Sequence, residues 1–141
     1  MALAEAVKTR WLAESLDDSV GPIYHGRVPE RVGMPYAVYN EISNSEIGQT
    51  HCLKILRAEI QIDVYTKDGD AGACRALADL VVSGLEYSND ATSNPLVVSG
   101  WGITDIVAIS EPMTTFEGDD EVFRSRVGFA VRYSKRIDRT P

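Results

Sequence analysis

The clearest pattern in the chain is a strict alternation of apolar and polar residues over positions 56–65. The apolar positions are Leu56, Ala58, Ile60, Ile62 and Val64, and they alternate with Arg57, Glu59, Gln61, Asp63 and Tyr65. Because successive side chains of a strand point to opposite faces, this pattern predicts a strand with one buried and one solvent-facing side. A single solvent-facing side is typical of antiparallel sheets, since parallel sheets are usually covered on both faces.

Further strands are predicted before and after this segment. Pro35 precedes an alternating run over residues 36–42, and proline is tolerated at the first position of a strand. Residues 23–28 are predicted to be extended, and two longer strands are predicted at 96–110 and 122–133. Residues 43–50 and 111–121 are polar or acidic and contain glycine. They predict a protruding hairpin tip and an acidic hairpin loop.

Two segments have apolar residues at the three- and four-residue spacing of an amphipathic helix. The first covers residues 3–15 and ends before the turn-forming sequence at 17–22. The second covers residues 71–86 and follows Asp70, whose carboxylate is a good N-cap. The order is α-β-β-β-α-β-β. We therefore predict an α+β fold, a two-layer sandwich with a mainly antiparallel sheet and two helices on one face.

The length of 141 residues has room for one domain, since domains usually contain about 100–150 residues. We assign residues 1–134 to a single domain and residues 135–141 to a basic C-terminal tail. No stretch approaches the roughly 18 apolar residues of a membrane-spanning helix. The charged residues within positions 1–10 are not typical of a signal peptide. We therefore expect a protein that is neither exported nor inserted into a membrane.

The formal net charge of −7 argues against a nucleic-acid-binding protein that is held by phosphate contacts. Six of the 14 basic residues lie in the last 18 positions, namely Arg124, Arg126, Arg132, Lys135, Arg136 and Arg139. The first 123 residues therefore contain 20 acidic and 8 basic residues. An acidic body with a basic end favours head-to-tail contact between copies, although a solvated basic terminus explains the charges equally well.

The sequence contains little of the chemistry that an enzyme or a metal site needs. Nucleophilic catalysis needs a base beside a serine or cysteine, and the neighbours His51 and Cys52 point to opposite faces if the chain is extended. The other histidine and cysteine, His25 and Cys74, complete none of the usual zinc spacings. We therefore expect no catalytic residue, no cofactor and no metal.

The remaining polar motifs have simpler structural explanations. Asp68-Gly69-Asp70 lacks the later ligands of a calcium loop, so it predicts a turn and a helix cap. Gly100-Trp101-Gly102 lacks the third glycine and the following helix of a phosphate-binding loop and predicts a bend or bulge in a strand. Glu59 and Asp63 share the solvent-facing side of their strand, where pairing with basic residues of the last strand is favoured over acid–base chemistry.

Five segments follow the N-terminal helix in a fixed order and spacing: Ile23-Tyr24-His25-Gly26-Arg27-Val28-Pro29, Met34-Pro35-Tyr36-Ala37-Val38-Tyr39, Ala58-Glu59-Ile60-Gln61-Ile62-Asp63-Val64-Tyr65, Ala73-Cys74-Arg75-Ala76-Leu77-Ala78 and Arg126-Val127-Gly128-Phe129-Ala130-Val131-Arg132-Tyr133. Together they resemble the tail-completion proteins of tailed bacteriophages, which are also called tail terminators or head–tail joining proteins. The resemblance covers nearly the whole chain. Each segment alone is generic, and their order and spacing carry the resemblance.

The resemblance implies a structural protein of the virion that forms a ring, commonly a hexamer, where the tail tube meets the head. Such a ring ends tail polymerisation and lets the genome pass through its centre. No catalysis or cofactor belongs to this role. The implied partners are other copies of the chain, the tail tube protein and head-side connector proteins, with assembly in the host cytoplasm. DNA would be a passenger that does not adhere to an acidic lumen.

Two groups of residues are candidates for these contacts. The candidate subunit interface contains Arg57, Glu59, Asp63, Arg124, Arg126, Arg132, Lys135 and Arg136. The candidate docking loops contain Asn44, Glu46, Gln49, Glu117, Asp119, Asp120 and Glu121. Two other functions stay open: a binding module that uses an exposed sheet edge, and a small enzyme. A monomer with a tight ligand would indicate the first, and turnover that depends on His25 or Asp63 would indicate the second.

Overall fold

The computed structural model describes residues 2–28, 33–50, 52–67, 70–88, 97–98, 101–117 and 122–136. The helices are α1 (Ala2–Ala13), α2 (Leu16–Ser19) and α3 (Ala71–Leu85). The strands are β1 (Ile23–His25), β2 (Tyr36–Gln49), β3 (Leu53–Thr66), β4 (Tyr87–Ser88), β5 (Val97–Val98), β6 (Trp101–Ala108), β7 (Met113–Glu117) and β8 (Val122–Arg136). The predicted α+β class is confirmed, with one short helix and several short strands in addition to the predicted elements.

The described strands form one eight-stranded sheet in the order β1-β2-β3-β8-β6-β4, with β5 paired to β6 and β7 paired to β8. Among these pairs, β1 with β2 is parallel and the others are antiparallel. Strands β6 and β7 follow each other along the same side of β8, with Ala108 opposite Phe129 and Met113 opposite Arg126. The long strands β3 and β8 therefore lie in the middle of the sheet.

Two segments that were predicted to be loops are strands instead. Residues 43–49 continue β2 and pair with β3 as far as Gln49, and residues 113–117 pair with β8 as β7. Both segments were predicted as loops because their side chains are polar. Strands can nevertheless form there, because the backbone hydrogen bonds between paired strands do not require apolar side chains. In addition, β8 continues to its end at Arg136 and pairs there with β3, so Lys135 and Arg136 of the predicted tail belong to a strand.

The core lies between the helices and one face of the sheet. It contains Trp11, Ile60, Ile62, Val64, Val81, Leu85, Val127, Phe129 and Val131, each of which is almost fully buried. Burying a side chain of this kind contributes about 1.5–3 kcal/mol to folding. The core members of β3 are the apolar half of the alternation in residues 56–65, so the buried side of this strand was predicted correctly.

Specific local contacts hold the helices on the sheet. The predicted cap is present, since the Asp70 carboxylate accepts a hydrogen bond of 2.8 Å from the Ala73 N–H. The Trp11 indole N–H donates to the Gly21 carbonyl at 2.9 Å, which satisfies the polar group of a buried ring. At Gly84, a Cβ would lie 2.8 Å from Leu16 Cδ1. The close approach of the Leu16 side chain of α2 to α3 therefore favours glycine at this position.

Candidate docking surfaces

Most of the predicted subunit-interface residues lie on the face of the sheet opposite to the helices, which we call the open face. Asp63 of β3 lies opposite Arg126 of β8, and Arg57 lies opposite Arg132. Directly opposed residues of an antiparallel pair point to the same face. The structure thus brings together six of the predicted residues, Arg57, Glu59, Asp63, Arg124, Arg126 and Arg132, on the open face of the two central strands.

Asp63 and Arg126 form the best-defined ion pair of this face. The Arg126 Nε donates to Asp63 Oδ1 at 2.9 Å, and its Nη2 donates to Asp63 Oδ2 at 3.3 Å. The side chain of Asp63 is 5% exposed and that of Arg126 is 46% exposed. The carboxylate is therefore buried under a two-pronged guanidinium that still reaches water, a geometry that only arginine can provide. The predicted cross-strand pairing of Asp63 is confirmed.

Arg132 pairs with a residue that sequence reasoning missed. Its Nε donates to Asp105 Oδ2 at 2.9 Å, and its Nη2 contacts the same oxygen. Asp105 belongs to β6, where an irregularity between Ile103 and Asp105 shifts the register and sets the carboxylate opposite Arg132. The available signal was a single acidic residue inside an otherwise apolar run, because a carboxylate in a sheet usually has a basic neighbour.

The third ion pair of the open face lies within one strand. Arg57 Nη1 and Glu59 Oε1 are 2.8 Å apart, and both side chains are more than one-third exposed. Glu59 therefore pairs along β3 and not across to the last strand. Three arginines of the candidate interface thus already have carboxylate partners within the chain. This arrangement leaves less of their charge for attraction to an acidic surface on another copy.

The remaining predicted contact residues are distributed over other parts of the sheet. Asn44 lies on the helix side of β2 and donates to Glu41 at 3.2 Å and to the Tyr133 hydroxyl. Glu46 forms an exposed ion pair of 3.6 Å with Lys54, and Gln49 and Lys135 both lie opposite Lys54. Glu117 ends β7 and Arg136 ends β8. The predicted docking residues Asp119, Asp120 and Glu121 lie outside the described residues, as do His51 and Asp68.

Tyr39 is a buried polar group at the edge of the core. It is 2% exposed, and its hydroxyl has no hydrogen-bond partner among the described residues. Burial raises the pKa of Tyr39 far above its usual value, and the nearby Glu41 carboxylate adds to this effect. Burial also raises the pKa of Tyr133, although the hydrogen bond from Asn44 partly opposes it. Both phenols therefore remain neutral in the folded protein under ordinary conditions.

The candidate catalytic side chains His25 and Cys74 lie in different surroundings. His25 lines a cavity of about 300 Å³ between α1 and β1, and neither serine nor cysteine is among the lining residues described. Cys74 is buried and accepts a hydrogen bond of 3.2 Å from Ser125. In the same part of the chain, no cluster of three or more histidine, cysteine or acidic residues is suited to hold a metal. No described helix is long and apolar enough to cross a membrane.

Comparison with known proteins is informative about family and fold. The family model described as "Tail completion protein gp17" matches residues 5–134. Among solved structures, a chain from the virion of a native gene transfer agent (GTA) particle superposes with a TM-score of 0.74 at 18% identity, covering 94% of this chain and 95% of that chain. This similarity shows a shared fold. No curated protein sequence matches the chain.

Proposed function

Since the chain belongs to the family of the tail completion protein gp17 and is therefore a structural protein of the phage tail, we propose that it forms a ring at the head–tail junction. The ring, which we propose to be hexameric, terminates the tail tube and lets DNA pass through its centre. The observation that carries the proposal is the family match over residues 5–134, nearly the whole chain. A match of this length includes most of α1, all of α3 and nearly the full length of the long strands β2, β3 and β8.

The charge of the chain is consistent with DNA passage. A ring of six copies carries −42 from the formal charge of −7 on each chain. A lumen lined by acidic residues repels DNA phosphates, so that DNA slides without adhering. In this proposal DNA is a passenger and no residue of the chain recognises its sequence.

The open face is the proposed surface for partners within the virion. It carries ion-paired residues such as Asp63 and Arg126. Such a polar surface fits contact with the tail tube protein or the head-side connector proteins, because charged and polar groups at an interface determine which partner binds more than how tightly it binds. We propose that assembly takes place in the host cytoplasm before the ring is retained in the virion.

Electron microscopy of the purified protein, with and without tail tubes, tests the proposed function. We expect ring-shaped particles with a central hole, present either alone or bound at one end of each tube. Tubes that are polymerised in the presence of the protein should be shorter than tubes polymerised without it. Unchanged tube length, together with the absence of rings and of protein at tube ends, would overturn the proposal.

One structural feature favours a second candidate function, a binding module that recruits a partner strand. The outer side of β2 pairs with β1 only over residues 37–39, and no described strand pairs with it between Asn40 and Ser45. Such an edge can accept a strand from another protein. Native mass separates the candidates, because a binding module stays monomeric with its partner bound, whereas a ring has a mass several times that of the chain.

A further inference from the structure

The exposed apolar side chains of this protein are concentrated at two edges of the sheet. Five of the ten large hydrophobic side chains that are exposed among the described residues lie there, on β2, on β7 or in the segment that leads into β7, and a sixth, Leu53, lies beside the turn between β2 and β3. Ile42, Ile47 and Leu53 form one group, which we call the hairpin patch because it lies on the hairpin of β2 and β3. Ile109, Met113 and Phe116 lie along the other edge, with Met113 on the open face and Phe116 on the helix side of β7, and we call them the β7 patch. Apolar side chains grouped in this way indicate a contact surface more strongly than scattered ones.

The hairpin patch owes its exposure to two bulges in β2. The register of β2 with β3 shifts between Glu41 and Ser43 and again between Glu46 and Gly48, which leaves Ile42 and Ile47 as the extra residues. Bulges re-aim side chains and usually keep sheet edges from aggregating. Here they present isoleucine, and Ile42 is 58% exposed. Bulged edges that served only to prevent aggregation would be expected to carry charge at these positions.

The β7 patch lies on the other side of the sheet. Strand β7 pairs with β8 on one side, and no described strand pairs with its other side. Met113, at the start of β7, is 68% exposed, and Phe116 is also exposed while its ring contacts Phe123. Strand order places β2 and β7 on opposite sides of the central pair β3 and β8. One chain thus carries two different apolar edges that face away from each other.

We propose that the hairpin patch of one copy packs against the β7 patch of the next copy, so that neighbouring sheets join edge to edge. The inference rests on the proposed function, which requires copies to assemble. Two different patches on opposite edges can satisfy each other only in a heterologous, head-to-tail contact. Repeating that contact gives a ring when the rotation between copies closes.

Charge around the two patches supports a second copy as the occupant. The hairpin end of the sheet carries basic residues, since Lys54 lies opposite Lys135 and Leu53 lies opposite Arg136. Beside the β7 patch, the exposed Glu111 precedes β7 and Glu117 is the last residue of β7. A basic border on one patch and an acidic border on the other favour the head-to-tail orientation over contact between two identical patches.

The position of the patches also predicts the geometry of the contact. The hairpin patch extends from Ile42, level with the middle of β8, to the end of the sheet where Leu53 is opposite Arg136, whereas β7 pairs with residues 122–126 at the other end of β8. Each copy is therefore displaced along the strand direction relative to its neighbour. A displacement of this kind accompanies the tilt of strands in closed, barrel-like sheets. The bulges limit backbone pairing, so side-chain packing is expected to provide most of the contact.

Engineered cysteines at the two edges test the proposal directly. The background is Cys52→Ser, because Cys52 is the exposed free cysteine and Cys74 is buried. Ile47→Cys and Met113→Cys are made singly and together, and the purified proteins are oxidised over a concentration series reaching the millimolar range and on tail tubes. The double variant should give a series of disulfide-linked oligomers, the largest of which has the mass of the complete ring. Each single variant should remain uncrosslinked. Disulfide-linked dimers of either single variant, or no such series from the double variant, would overturn the inference.

Paired aspartate substitutions provide an independent measurement. Ile42→Asp with Ile47→Asp should weaken self-association at least about 10-fold, because the contact would then bury unpaired carboxylates among apolar side chains. Leu12→Asp with Leu80→Asp is the matched control on exposed positions of α1 and α3 and should leave assembly unchanged. Circular dichroism confirms that each variant is folded.

Mixing two defective variants distinguishes head-to-tail contact from the alternatives. The variant with Ile42→Asp and Ile47→Asp, here called the hairpin variant, retains its β7 patch, and a variant with Met113→Asp retains its hairpin patch. A mixture should therefore form dimers of one copy of each variant. These dimers should not grow further, because both of their remaining patches are defective. Rings that persist in the hairpin variant would overturn the edge contact and leave the proposed function intact. A wild-type protein that forms no ring, alone or on tubes, would overturn both.

Discussion

The two faces of the sheet are made from the same central strands and differ completely in how they are stabilised. On the helix side, β3 and β8 contribute fully buried apolar side chains such as Ile62 and Phe129. On the open face, the same strands contribute ion pairs such as Asp63–Arg126 and Arg57–Glu59. Burial of apolar area provides most of the folding free energy, whereas an exposed ion pair such as Arg57–Glu59 contributes about 0–1 kcal/mol.

This difference shows how a small structural protein separates folding from assembly. The helix side provides most of the folding free energy, so the open face and the sheet edges are available for contacts with neighbours. Side chains on the open face are organised by hydrogen bonds within the chain. They therefore lose little conformational entropy when a partner binds. Substitutions on the two faces should consequently separate into effects on stability and effects on assembly.

The largest effect is expected from the core side, where Phe129→Ala removes a ring that is fully buried. We expect a loss of about 3–5 kcal/mol in the free energy of unfolding, because a cavity remains. The matched control is Phe116→Ala on β7, where the ring is 57% exposed and the expected loss is about 1 kcal/mol or less. Urea denaturation measures both, and equal losses for the two variants would contradict the assignment of the core.

A smaller effect is expected on the open face from Asp63→Asn. This change weakens two hydrogen bonds to Arg126, and we expect a loss of about 1–2 kcal/mol because the arginine can still reach water. Glu59→Gln is the control in the exposed pair with Arg57 and should cost no more than about 0.5 kcal/mol. Urea denaturation at low and high salt measures the loss of unfolding free energy in each variant. If the larger loss expected for Asp63→Asn disappears at high salt, Asp63 is not protected from solvent and the prediction is contradicted.

The smallest effect at neutral pH is expected from Tyr39→Phe, which removes a buried hydroxyl without a described partner. Stability should change by less than about 0.5 kcal/mol. The pH dependence is more informative, because burial raises the pKa of Tyr39 in the folded protein above the value of about 10 for an unfolded chain.

The sign of this pH effect follows from which state holds the proton. Above about pH 10 the unfolded chain releases the tyrosine proton while folded Tyr39 keeps it. Stability should therefore fall as pH rises through this range, and Tyr39→Phe should reduce the slope. Urea midpoints between about pH 9 and about pH 11 measure it. The same slope in both proteins would show that the Tyr39 hydroxyl is not buried in the native state.

The two faces of β3 and the helix α3 could be predicted from the sequence because their signals are local. Alternation over residues 56–65 sorts side chains to two faces whichever strands are neighbours. The cap at Asp70 acts on a backbone N–H three residues away. The strands at 43–49 and 113–117 carried no comparable signal, since their polar side chains are typical of loops and their pairing is set by β3 and β8.

The candidate contact residues show the same division between local and distant determinants. Sequence reasoning placed Asp63 and the basic residues of the last strand on one solvent-facing side, and the structure pairs Asp63 with Arg126. It missed Asp105, because a register shift in β6 brings that carboxylate opposite Arg132. It also missed the exposed bulge residues Ile42 and Ile47, since a bulge depends on the register between two strands.

By itself, the sequence determined the fold class, the buried sides of β3 and α3 and the acidic body of the chain, since composition and periodicity act over a few residues. Only the tertiary structure decided the strand order, the carboxylate that each arginine binds and the apolar edges that remain open. These features depend on register between strands far apart in the chain. A shift of one residue moves every side chain of a strand to the other face.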